Sequence, residues 1–177
     1  RWCFIKKRGY GRMIFLDTCI WIELCGARTP VSEQERRQAR AASNLLTECI
    51  RSHQKIITCK EQLLEIINAI QKAKMREYNR ECRNRTEKGV GNVKEFRMTE
   101  AFSNVEPFCR QVYDDVMHLA MCHELKDYSV EDIISNIRYV DINDYIYYDY
   151  CIKNGHDFYT FDQDFLKLGE NSKIHIV

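Results

Sequence analysis

Short apolar runs alternate with longer amphipathic stretches along this chain, and their order predicts the fold class. Met13–Leu16 is an apolar run closed abruptly by Asp17, the pattern of a strand buried on both faces. Residues 18–26 (TCIWIELCG) read as a short helix ending at Gly26. Ser32 and Glu35 form a capping box, after which Ala42, Leu45, Leu46, Cys49 and Ile50 recur at helical spacing. Residues 55–58 (KIIT) read as a second strand, and Gln62–Ala73 as a helix with Leu63, Ile66, Ile67 and Ile70 on one face. Further helices are expected over about 107–126, with Phe108, Val112, Val116 and Leu119 inward, over 130–139, and over 142–154, where Gly155 supplies the stop. Residues 158–161 (FYTF) and 174–177 (IHIV) complete the strands. Strands and helices in this order predict an α/β protein, a central parallel sheet with helices on both faces.

The 177 residues are enough for one domain, expected over 13–177, with residues 1–12 (RWCFIKKRGYGR) a basic leader or fragment end and Met13 a natural start. A helical insertion is expected over about 72–130. The apolar fraction of 45% excludes a disordered chain, and only 7 Gly and 2 Pro exclude a turn-rich sandwich. Apolar runs fall far short of the roughly 18 residues of a membrane span, so no membrane partner is expected. Nine cysteines, an odd number with no C-x-x-C pair, fit free thiols in a reducing, cytoplasmic compartment.

Net charge is only +1, but its distribution is uneven. Residues 72–97 carry nine basic and four acidic side chains, and residues 100–150 three basic and eleven acidic. The basic stretch, in particular Lys72, Lys74, Arg76, Arg80, Arg83 and Arg85, is a candidate for contact with an RNA backbone.

Ligand sites in an open parallel sheet lie beyond the carboxyl ends of its strands. Asp17 follows the first strand. Glu61 and Glu65 follow the second, one helical turn apart. Asp141 and Asp144 open the helix that leads to the fourth segment, and Asp162 and Asp164 follow that segment's strand. Each alone is as readily an N-cap or a solvated helix residue. Convergence is what caps do not require. Clustered carboxylates repel unless protonated or bridged by a cation, and oxygen-only donors suit Mg2+ or Mn2+, as one or two ions. The chemistry expected is metal-dependent phosphoryl or phosphodiester cleavage.

Three blocks carry a resemblance to a known family: MIFLDTCIWIEL, IITCKEQLLEII and DINDYIYYDYCIKNGHDFYTFDQDF. Asp17-Thr18 at a strand end, Glu65 before an apolar residue, and Asp144 eleven residues ahead of Gly155 followed by Thr160-x-Asp162-x-Asp164 together resemble PIN-domain nucleases, including the VapC-like ribonucleases. The resemblance implies a three-layer α/β/α sandwich with catalytic, metal-ligating Asp17, Glu65, Asp144 and Asp162. Thr160 would orient a carboxylate or water and Asp164 would lie at the rim; Asp141 and Glu61, from their own positions beside these elements, are candidate accessory residues. It implies endoribonuclease (hydrolase) activity in which metal-activated water leaves a 5′-phosphate and a 3′-hydroxyl. Cys19 stands where the family often has Asn, and Tyr147, Tyr148 and Tyr150 lie on a helix usually rich in Ala. Small lone members are often toxins, so an antitoxin protein and a homodimer are expected partners beside RNA.

The alternatives are an RNA-processing or decay nuclease without an antitoxin, and an inactive PIN-like module that binds RNA or protein. A haloacid-dehalogenase-type phosphatase needs a second Asp where Cys19 stands. His118 and Cys122, spaced i, i+4, read as a helix face and not a zinc pair, and the tyrosines at 145–150 as core with base stacking as the alternative.

Overall fold

Five short strands, β1 (Ile14–Leu16), β2 (Ile56–Cys59), β3 (Ala120–His123), β4 (Asp157–Thr160) and β5 (Ile174–Ile176), pair in the order β3-β2-β1-β4-β5, all parallel, in a computed structural model that describes residues 12–177. The residues of β1 and β2 are wholly buried and alternate between two cores. Ile14, Leu16 and Ile56 face one core, built with α1 (Thr18–Leu24), α2 (Glu33–Arg51), α3 (Lys60–Asn84) and α5 (Val105–Leu119). Met13, Phe15, Ile57 and Phe158 face the other, built with α6 (Val130–Asn136) and α7 (Ile142–Asn154). The predicted three-layer α/β/α sandwich is therefore present. Helix α4 (Val93–Phe96) lies in the connection from α3 to α5 and buries Phe96.

The capping box at the start of α2 forms as predicted, with Ser32 accepting from the Glu35 N–H at 3.1 Å. Gly155 adopts φ 70°, ψ 26°, a left-handed conformation that closes α7 one residue before His156, whose N–H donates to the Cys151 carbonyl.

Three expectations need correction. The helix expected over 107–126 ends at Leu119, and Ala120–His123 is a strand instead. Its residues (AMCH) carry no β-branched signal, and pairing with β2 overrides their local preference. His118 and Cys122 thus sit on different elements and are not a helical pair. Helix α3 runs eleven residues past Ala73, so the basic stretch begins as a continuation of the Glu65 helix and not as a separate insertion. The basic leader lies outside the described residues, except for Arg12, which pairs with Asp157. No helix among the described residues is long and apolar enough to cross a membrane, and the eight described cysteines are all free.

Candidate active site

The chain places β2 and β3 on one side of β1, then β4 and β5 on the other. The sheet order reverses between β1 and β4, and a crevice opens at such a switch point beyond the carboxyl ends. Asp17 follows β1 and caps α1, its side chain accepting from the Thr18 N–H at 2.6 Å. The next strand brings Thr160, whose hydroxyl donates to Asp17 Oδ2 at 2.6 Å, and Asp162, whose N–H donates back to Thr160 Oγ1 at 2.9 Å. The Asp17 N–H also bonds the Tyr159 carbonyl, which locks the two strand ends in register.

Helix α3 is fixed to the same edge by Gln62. It is fully buried, its Nε2 donating to the Leu16 carbonyl and its Oε1 accepting from the Thr58 hydroxyl, both at 2.8 Å. One turn later Glu65 is half-buried. From the opposite layer, Tyr147 of α7 donates its phenol to Glu65 Oε2 at 2.9 Å. Asp144, in the first turn of α7, completes the set.

Asp17, Glu65, Asp144 and Asp162 together line one cleft of about 480 Å³, with Thr18, Cys19, Ala69 and Arg28 in its walls. Four chain segments thus meet as the sequence predicted. Glu61 does not join them; it is exposed on α3 and outside the cleft. Asp141 is likewise exposed and does not line the cleft, although its charge acts on Asp144. Asp164 does not line the cleft; its N–H donates to Asp162 Oδ1 and its carboxylate accepts from Lys167.

The electrostatics are those of an uncompensated acidic cluster. Burial, followed by the charges of Asp17, Glu65, Asp141 and Asp162, pushes Asp144 up to about 8. Burial raises Asp17 as well, against the hydrogen bonds of Cys19, Thr160 and the Thr18 N–H. Glu65 is raised by burial too, with Tyr147 pulling the other way. Among the described residues the only cation in the wall is Arg28, and it is held by Glu23 and Glu35. The Thr18 hydroxyl is buried and has no hydrogen-bond partner among the described residues. Among the described residues no group of three or more His, Cys, Asp or Glu is placed to hold a metal ion as it stands. The donors fit a hard cation in kind, all oxygen, and an ion would have to gather them.

Sequence reasoning missed three contributors. Tyr147 is wholly buried and positions Glu65, so it is no stacking platform. Cys19 donates its thiol to Asp17 Oδ2 at 3.0 Å and accepts from the Phe161 N–H, so the residue in place of Asn still touches the carboxylate. Burial and the neighbouring Asp17 keep that thiol protonated, its pKa raised far above the usual range. Gln62 carried no pattern signal, because one buried amide leaves no periodicity.

The six candidate RNA contacts separate by face. At about 100° per residue, Lys72, Arg76 and Arg83 fall within about 20° of Glu65 and Arg80 within about 60°. Lys74 and Arg85 fall on the opposite side by the same count, and Lys74 pairs with Glu77 and lies over the Phe108 ring. No family model, curated protein or solved structure matches this chain.

Proposed function

We propose that this chain is a divalent-metal-dependent endoribonuclease of the PIN-domain type. The observation that carries this reading is the convergence of Asp17, Glu65, Asp144 and Asp162 on one cleft that holds no unpaired cation among the described residues. An RNA phosphodiester is negative and is repelled by such a cleft until a cation neutralises it. Mg2+ or Mn2+, as one or two ions, would supply that charge, polarise the phosphoryl oxygen and acidify water. The protein's own contribution is orientation. Thr160, Cys19 and the Thr18 N–H hold Asp17 at one angle, and Tyr147 holds Glu65. Asp144, whose carboxyl burial and the neighbouring carboxylates raise to about 8 in the metal-free cleft, would give up its proton as a cation binds. Asp162 is tied through its N–H to the same Thr160 hydroxyl that bonds Asp17.

The separation of the carboxylates favours a second reading, an inactive RNA-binding module. Incubating purified protein with end-labelled RNA in Mn2+ or in EDTA decides between them. Cleavage in Mn2+ that leaves 3′-hydroxyl ends is expected, and binding without cleavage selects the module. The setting we propose is a toxin restrained by an antitoxin protein, with RNA processing or decay as the alternative. Growth arrest on expression alone separates the two.

A further inference from the structure

A second, smaller cleft of about 170 Å³ adjoins the acidic one, with Arg28 lining both. Its walls hold Thr29, Glu35, Ala73, Arg76, Glu77 and Arg80. The two carboxylates there are already committed. Glu35 accepts from the Val31 and Ser32 N–H groups and pairs with Arg28, and Glu77 accepts from Lys74 and the Thr29 N–H. Arg76 and Arg80 are exposed and make no hydrogen bond or ion pair with any described residue. The same holds for Lys72 and Arg83.

These four cations share the Glu65 face of one continuous helix. Glu77 and Glu81 fall more than about 100° away from that face, so no acidic residue interrupts it after Glu65. At about 1.5 Å per residue the cations lie roughly 10, 16, 22 and 27 Å beyond Glu65. The row leads away from the cleft in one direction only.

We propose that α3 is a one-sided phosphate track for single-stranded RNA, which holds the strand on one side of the scissile bond and leaves the other side free. The proposal rests on the reading of the acidic cleft as the cleavage site. At a stacked rise of about 3.4 Å per nucleotide the far end of the track, at Arg83, lies about eight nucleotides from Glu65. Contact is through phosphate charge, so it is indifferent to sequence.

The test uses RNAs with one fixed cleavage position, lengthened stepwise on the 5′ side or on the 3′ side. kcat/KM should climb with length on one side only and level off at about eight nucleotides. The variant Arg76→Gln/Arg80→Gln/Arg83→Gln should lose that climb while kcat at saturating RNA is kept. A parallel series measures RNA affinity in EDTA, where no cleavage is needed. There the variant should flatten the log–log salt dependence by about 2, at roughly 0.7 per lost contact. Should no RNA be cut while the EDTA series keeps its length plateau and salt slope, the track stands and the cleavage reading falls. Equal length dependence on both sides, none on either, or an unchanged salt slope in the variant overturns the track.

Discussion

Asp17 and Asp157 are equally buried, each about 4% exposed, on adjacent parallel strands at opposite ends of the sheet. Their surroundings differ in kind. Asp157 opens β4, where burial alone would raise its pKa, but Arg12 and His175 hold it below the ordinary value. Asp17 ends β1 among Asp144, Glu65 and Asp162, and burial drives its pKa up; among the described residues the one cation in that cleft wall, Arg28, is already paired with Glu23 and Glu35. A buried carboxylate that serves the fold is given a countercharge. One left without it, and surrounded by others, is the feature from which we propose a countercharge supplied from outside. The same fold shows both arrangements, which makes the contrast an internal control.

The contrast breaks most visibly under neutralisation. On the proposed function, Asp17→Asn or Asp144→Asn should lower cleavage in Mn2+ by about a thousand-fold or more, since each would remove a proposed metal ligand. In metal-free buffer the same changes relieve repulsion, so the melting temperature should hold or rise. Asp157→Asn should do the reverse, keeping cleavage and lowering the melting temperature by roughly 5 °C. Thermal melts beside a cleavage assay read all three.

The glutamates give the next largest effect. Glu65→Gln should reduce activity far more than Glu61→Gln, because only Glu65 lines the cleft. Tyr147→Phe keeps the buried ring and removes its bond to Glu65. A loss of about 10–100-fold in metal affinity or activity is expected, the usual weight of a residue that orients a ligand. A full-activity Tyr147→Phe protein would show that Glu65 needs no such hold.

The smallest effect is a pH dependence of opposite sign at the two ends. Asp144 keeps its proton up to about pH 8 when folded, against an ordinary value of 3.8. Between those values the folded protein binds the extra proton, so this group's stabilising contribution falls as pH rises and is gone above about 8. Asp157 is depressed, so its contribution is present above the ordinary value and is lost as acid titrates it. Melting the metal-free protein across this range should show Asp144→Asn gaining on the parent as pH rises. An equal gap at pH 5 and pH 8.5 would contradict the repulsion.

What the sequence disclosed divides along similar physical lines. Asp17, Glu65, Asp144 and Asp162 were legible because each sits at a fixed offset from an apolar run, and the sheet brings strand ends together. Strand β3 was not legible, since Ala120–His123 has neither apolar alternation nor β-branched residues and owes its state to β2. Tyr147 and Gln62 were hidden because what they do depends on contacts 82 and 46 residues away. The division of the basic residues into two faces needed the true length of α3, which continues through Ala73 with no break in backbone. The spacing between carboxylates, finally, is a property of side-chain placement that no linear pattern encodes.

The central claim is that the cleft at the end of β1 takes its countercharge from a divalent cation. Titration of metal-free protein with Mn2+, followed by isothermal calorimetry, tests this without reference to RNA. Saturable binding of one or two ions is expected, abolished by Asp17→Asn and by Asp144→Asn and untouched by Asp157→Asn. Equal Mn2+ binding by the parent and by the Asp144→Asn protein, or none by the parent, would contradict it.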